Sequence, residues 1–302
     1  MKTSLDQIVN PNYIGKQENP IALNDILRAA AEENVTPSNQ AHEKVLFLGI
    51  DIQQDFMDNG ALGVPGAIGD VDRITQFIYH NIDKITNITA SIDTHIPQQI
   101  FHPCWWVDKD GNNPAPSTPI TLADLDNGVW RPIIKPLDSR EYVQHLEQDG
   151  KKTLVVWPYH CIQGTSGCAL DPQFSNIVYF HSVVRKAAVF NLVKGLDPLS
   201  EMYGIIRPEW SKNNFVNTKF LNSVTKYDKI VIAGEAKSHC VLESIKQILE
   251  AYTGQTDVTS KFYILEDCMS CIPGFEDETN NTFDDFKQKY KVNLVKSTDD
   301  IL

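Results

Sequence analysis

The stretch VIAGEAKSHCV, Val231 to Val241, decides how this 302-residue chain is read. Its first half is a short apolar run of the kind that forms a strand buried on both faces. Its second half enters a helical pattern over Ser238 to Tyr252, with Cys240 in the first turn. A strand that turns directly into a helix is the building unit of a parallel α/β sheet. Such a turn leaves backbone N–H groups pointing outward. There the helix dipole is expected to lower the Cys240 thiol pKa and favour thiolate. The same N–H groups can hold the oxyanion that forms when a thiolate attacks a carbonyl. A lone cysteine is more often an inert core residue, so the weight rests on its company.

Four other apolar runs end in chemically useful residues. VLFLGIDIQQDF (45–56) ends its apolar part at Ile50, with Asp51 directly after it. A carboxylate at the carboxyl end of a buried strand lies where open α/β sheets place their active sites. ITASIDTH (88–95) closes on Asp93 and His95. Residues two apart on a strand share a face, so a carboxylate and an imidazole can converge on a metal. TLVVWPYHC (153–161) brings His160 after a fourth strand-like run, a third ligand for a two-His, one-carboxylate site. AAVFNLVKG (187–195) ends in Lys194, which would stay protonated beside a carboxylate and a thiol. Taken alone, each has an ordinary explanation: a capping Asp, a loop His, a surface Lys. As parallel strands of one sheet, the five runs would bring all these ends to one edge.

In this order, IDIQQDF, SIDTH, WPYHC, VKG and GEAKSHCV resemble the isochorismatase-like cysteine hydrolase superfamily, and within it the nicotinamidases. The resemblance covers roughly Val45 to Gly274. It implies a three-layer α/β/α sandwich around a mostly parallel sheet. It implies a triad of Asp51 as general base, Lys194 as charge partner and Cys240 as nucleophile. It implies metal ligands at Asp93, His95 and His160, and an oxyanion hole from the Ala236 and Cys240 N–H groups. A cis peptide bond before Ala236 goes with that hole. Phe56 and Trp157 match the two aromatics that hold the substrate ring; core packing is the alternative for both. The implied activity is metal-assisted release of ammonia from nicotinamide or a related small amide, through a thioester. The cofactor is a divalent ion, zinc before iron or manganese, all of which accept this donor set. Relatives assemble as homo-oligomers, and residues 1–40 offer an arm for that purpose.

The chain also departs from the compact nicotinamidase pattern. Residues 1–40 precede the hydrolase domain, assigned to 41–302. An insertion spans about 96–155 and carries HPCWWVDKDGNNPAPSTP. The stretch after Lys194, GLDPLSEMYG, differs from the Tyr-containing segment of small nicotinamidases. Some relatives carry a further metal histidine after the Asp-x-His pair; His102 is the nearest, at a different spacing. These departures open the substrate to other amides, carbamoyl compounds or ureido compounds. A reading of another class is an idle relative that binds a small molecule or a partner protein. The joint presence of Asp51, Lys194 and Cys240 argues against it.

The formal charge of −12 argues against a nucleic-acid partner. No stretch is long and apolar enough for a membrane span. The first residues, MKTSLDQIVNPNY, lack a hydrophobic signal segment, so a cytoplasmic location is expected. In that setting the six cysteines read as thiols rather than a disulfide framework. Cys268 and Cys271 form a CxxC without a second pair, which leaves a zinc ribbon unsupported. Helical patterns are read at Ala22–Glu33, Val71–Ile88, Tyr142–Gln148, Pro172–Lys186 and Asp284–Tyr290. Further strands are read at Phe262–Leu265 and Val292–Val295, and MDNGALGVPGA (57–67) as a Gly-rich loop over the site.

Overall fold

The computed structural model describes residues 1–148 and 152–302; three residues of the long insertion lie outside the described residues. Six strands form one parallel sheet: β1 (Val45–Ile50), β2 (Asn87–Asp93), β7 (Phe190–Lys194), β8 (Lys229–Gly234), β9 (Phe262–Leu265) and β10 (Asn293–Val295), in the order β10-β9-β8-β1-β2-β7. Side chains alternate across it. Val45 and Phe47 of β1 join a core on one face, and Leu46, Leu48 and Ile50 join a core on the other. Helices α1 (Leu23–Ala31), α2 (Ala67–His80) and α5 (Pro172–Arg185) cover the first face through Ile26, Val71, Ile74, Phe174 and Ile177. On the second face lie α6 (Thr218–Val224), α7 (Leu242–Ala251) and α9 (Glu276–Tyr290), through Phe220, Ile245, Ile248, Phe283 and Phe286. The architecture is the expected α/β/α sandwich.

The parallel register sets the site. Ile50 pairs with Gly234, so Asp51 and Glu235 leave the sheet side by side. Asp93 pairs with Lys194 at the end of the next strand pair. Four of the five runs thus end on one edge.

The fifth does not. Leu154–Val155 is a two-residue strand, β6, paired antiparallel to β4 (Pro119–Ile120) outside the central sheet. A second small ribbon pairs β3 (Trp106–Val107) with β5 (Arg131–Pro132). The run TLVVW is apolar because the insertion has its own core. Leu154 and Val156 pack there with Ile100, Phe101, Trp105 and Trp106, and with Tyr142 of α4 (Pro136–Gln148), beside α3 (Leu122–Asp126). A buried apolar run looks alike in a large sheet and in a small cluster. The segment before β1 is part of the main core. Ile8, Val9, Ile14 and Ile26 are all buried in it, and α1 packs on α5. Short α8 (Thr256–Thr259) precedes β9. Among the described residues no helix is long and apolar enough to cross a membrane, and all six cysteines are free thiols.

Candidate active site

The sheet edge gathers Asp51, Asp93, Lys194 and Cys240 around one ammonium group. Lys194 Nζ lies 3.0 Å from Asp51 Oδ2 and 2.9 Å from Asp93 Oδ1. It also lies 3.7 Å from Cys240 Sγ, and donates to the Met202 carbonyl at 3.0 Å. All four residues are buried. Burial opposes the charge on Lys194, but Asp51, Asp93 and Cys240 outweigh it and hold its pKa well above the ordinary value. Gly195, at φ +80°, lets the chain leave at once. A Cβ there would lie 2.7 Å from His95 Cε1 and 2.8 Å from Asp93 Oδ1.

Asp51 has φ +47°. Its N–H donates to Ser91 Oγ at 2.9 Å, and Ser91 donates back to Oδ1 at 2.5 Å. Burial raises the Asp51 pKa against the lowering effect of Lys194. The Cys240 thiol, in hydrogen-bonding reach of Asp51, is also pushed well up, first by burial and then by Asp51 and Asp93 against Lys194. The expected thiolate at a helix start is therefore corrected. Two facts account for it. Cys240 sits in a π-helical turn, Lys237–Val241, ahead of α7 rather than in the first turn of an α-helix. Desolvation and two carboxylates also oppose a second anion.

Next to this group, Asp93, His95 and His160 present ligand atoms that all lie within 4.8 Å of one another. Asp93 Oδ2 is 2.8 Å from His95 Nε2 and 3.7 Å from His160 Nε2. The other ring nitrogens face carbonyls: His160 Nδ1 meets Pro158 O at 2.8 Å, and His95 Nδ1 meets Gly195 O at 3.2 Å. Carbonyls only accept, so both Nδ1 atoms carry hydrogen, and both Nε2 atoms turn to Asp93. This is the donor set and the supporting shell that a divalent ion needs. Gln53 fixes Asp93 from behind, accepting from its N–H at 2.7 Å and donating to its carbonyl at 2.8 Å. Gln53 stood inside the quoted IDIQQDF, yet only its partner strand reveals the role.

The spacing of His102 did not recommend it, yet the fold brings it here. Its ring centroid is 5.9 Å from that of His95 and 6.0 Å from that of His160. Its Nδ1 donates to Pro97 O at 3.0 Å, and its buried Nε2 has no partner among the described residues. Burial and the two neighbouring histidines lower its pKa to about 3, so it is a neutral donor.

Beside these ligand atoms opens a narrow cleft of about 30 Å³, which Asp93, His160, Ala236 and Cys240 line. Phe56 and Trp157 both line it, as the sequence predicts, and Leu62 and Val64 of the Gly-rich loop form another wall. The Glu235–Ala236 bond is cis, and the Ala236 N–H donates to no group among the described residues. The sequence reading missed four lining residues: Glu201, Tyr203, His239 and Ile272. Tyr203 lies in the GLDPLSEMYG stretch and accepts a 3.1 Å hydrogen bond from Trp157 Nε1. His239 packs edge-on to Trp157 with centroids 5.9 Å apart, and burial with Lys152 nearby keeps it neutral, at a pKa of about 4. Burial raises Glu201 to about 7. The adjacent SEMY letters carried no spacing signal for these roles.

No family model and no curated protein sequence matches the chain. Solved structures do. A nicotinamidase–pyrazinamidase of Acinetobacter baumanii is 20% identical with a TM-score of 0.57, covering 87% of this chain and 100% of its own. Yeast nicotinamidase with the inhibitor nicotinaldehyde is 19% identical with a TM-score of 0.58, covering 83% and 99%. A nicotinate complex from L. infantum is 15% identical with a TM-score of 0.51, covering 88% and 96%. What these structures share with this chain is the isochorismatase-like α/β fold, laid over nearly the whole of each neighbour.

Proposed function

We propose that this chain is a cysteine amidohydrolase of nicotinamidase type. The observation that carries the reading is the placement of Cys240 within 3.7 Å of Lys194 Nζ, which also holds Asp51 at 3.0 Å, on the wall of an aromatic-lined cleft. Asp51 takes the thiol proton as an amide carbonyl arrives. Cys240 sulfur attacks the carbonyl carbon, and the oxyanion is received by the Ala236 and Cys240 N–H groups. One such donor is worth about 3 kcal/mol in the transition state. Protonated Asp51 then gives its proton to the departing ammonia, leaving a thioester on Cys240. Water loses a proton to Asp51 and attacks the thioester carbonyl; the C–S bond breaks, Asp51 returns the proton to the Cys240 sulfur, and the acid leaves. Lys194 stays charged throughout and holds the two carboxylates apart from the sulfur's full negative field. Asp93, His95 and His160, with His102 as a further donor, would hold a divalent ion, which supplies a Lewis-acid anchor for a ring nitrogen or a water.

The cleft favours a flat ring. Phe56 and Trp157 line it together with the nucleophile, and the neutral His239 and Tyr203 add aromatic wall. A panel of nicotinamide, aliphatic amides, N-carbamoyl compounds and ureido compounds, assayed for ammonia release by the metal-loaded protein, tests this. Nicotinamide should have the highest kcat/KM. A higher value for a carbamoyl or ureido compound would move the substrate class while keeping the triad. Turnover of none would leave a binding protein.

A further inference from the structure

Behind the nucleophile loop lies a cluster of ionisable groups that this chemistry does not use. Glu235 is fully buried. Its Oε2 accepts from Ser270 N at 3.3 Å, while Oε1 is buried and has no donor among the described residues. The carboxyl of Asp70, on α2, is in hydrogen-bonding contact with it. Both Asp70 oxygens already have donors: Arg73 at 2.6 Å on Oδ1 and the Ser270 hydroxyl on Oδ2. Two carboxyl groups in contact, with donors on both oxygens of Asp70 but on only one of Glu235, are satisfied by a single shared proton. Asp70 has the donors, so the proton sits on Glu235.

The same residues hold the nucleophile loop. Gly234 N–H donates to Cys268 O at 3.1 Å, Glu235 N–H to Ile50 O at 2.9 Å, and Lys237 N–H to Ser270 O at 2.8 Å. Ile272 N–H donates to Ser238 Oγ at 3.0 Å. Ser270 therefore touches both sides of Ala236, and its hydroxyl and Glu235 reach α2 through one carboxylate. We propose that Glu235 is a positioning residue: as a carboxylic acid donating to Asp70, it fastens the loop bearing the Ala236 and Cys240 N–H groups to α2. The proposal goes beyond the amidohydrolase reading, and its kinetic part rests on that reading.

Arg73 of α2 faces the pair, as do Asp58 from the loop before α2, and Asp267 and Cys268 from the loop after β9. Lys237 is turned away, to Asn280 at 2.8 Å. Burial, then Asp70 and Asp58, holds the Glu235 pKa well above the ordinary carboxyl range. The folded state thus keeps a proton that the unfolded chain loses earlier. The pair's contribution to stability is full below the ordinary Glu pKa and declines as pH rises toward the folded value.

The test compares wild type with Glu235→Gln and Glu235→Leu. Gln keeps the shape and an N–H donor for Asp70 but cannot ionise; Leu keeps neither. Thermal midpoints across neutral to alkaline pH need no substrate. Wild type should lose stability with rising pH more steeply than Glu235→Gln. With nicotinamide, Glu235→Leu should lose about tenfold in kcat with little change in KM, as expected for a displaced donor. Glu235→Gln should recover that loss and flatten the alkaline fall in kcat. Parallel pH–stability curves for wild type and Glu235→Gln would overturn the proposal, as would a Glu235→Leu enzyme with wild-type kcat and pH profile. If Leu does not fold, the Gln comparison decides alone. If wild type leaves nicotinamide intact, the amidohydrolase reading fails while the stability comparison still judges Glu235.

Discussion

Lys194 joins two chemistries through one ammonium group, within 3.0 Å of Asp51 and 2.9 Å of Asp93. Burial opposes a low Asp93 pKa, yet His95 and Lys194 hold it well below the ordinary carboxylate range. Asp93 therefore stays an anion, ready for a cation. The same ammonium balances Asp51, the proton acceptor of the proposed mechanism. His160 belongs to the same cluster of candidate ligands. Its Nδ1 is fixed on Pro158 O, and its Nε2 points at Asp93. His160→Ala should reduce bound divalent metal from about one per chain to a small fraction, since losing a ligand costs more than the 10–100-fold of an outer-shell partner. Elemental analysis after dialysis reads this, and unchanged metal content would remove His160 from the ligand set. The convergence of Asp93, His95 and His160 was legible in the letters. The role of His102 was not, because a loop's path, not its spacing, decides where its imidazole arrives.

At the scale of elements, strand ends were legible where strands belong to the large sheet, since β1, β2, β7 and β8 each deliver their terminal residue to the same edge. Run 153–157 was misread as a sheet strand because burial in the insertion's own core gives the same apolar letters. Helix α5 was read almost to the residue, Pro172–Lys186 against Pro172–Arg185, because it begins at a Pro after a capping Asp. That cap does more than close a helix. Asp171 Oδ1 accepts from Gln173 N at 2.8 Å and Phe174 N at 3.1 Å. Its Oδ2 accepts from Gly15 N and Gln54 Nε2, both at 2.8 Å. It ties the N-terminal segment and the loop after β1 to one helix start. Asp171→Ala should lower the unfolding free energy by about 2 kcal/mol, a lost cap plus buried donors left unpaired. A urea midpoint equal to wild type would show that water replaces these bonds at no cost.

Across the whole molecule, two additions surround a sandwich of ordinary plan. The segment before β1 buries Ile8, Val9, Ile14 and Ile26 in the main core, so it belongs to the sandwich as much as to any arm. The insertion builds a separate core and ends by setting Trp157 on the cleft, with Lys152 4.4 Å above the Tyr203 ring. Its sequence told of Pro-rich turns and tryptophans but not of a cleft wall, because contacts between distant segments leave no local pattern. In the proposed mechanism Cys240 carries the acyl group. Intact mass measured on rapidly quenched, metal-loaded protein turning over nicotinamide tests it directly, beside Cys240→Ala. Wild type should gain the nicotinoyl mass transiently, and Cys240→Ala should show no adduct and a fall in kcat of about 10⁴-fold or more. Ammonia release by Cys240→Ala at a rate near wild type would contradict the account.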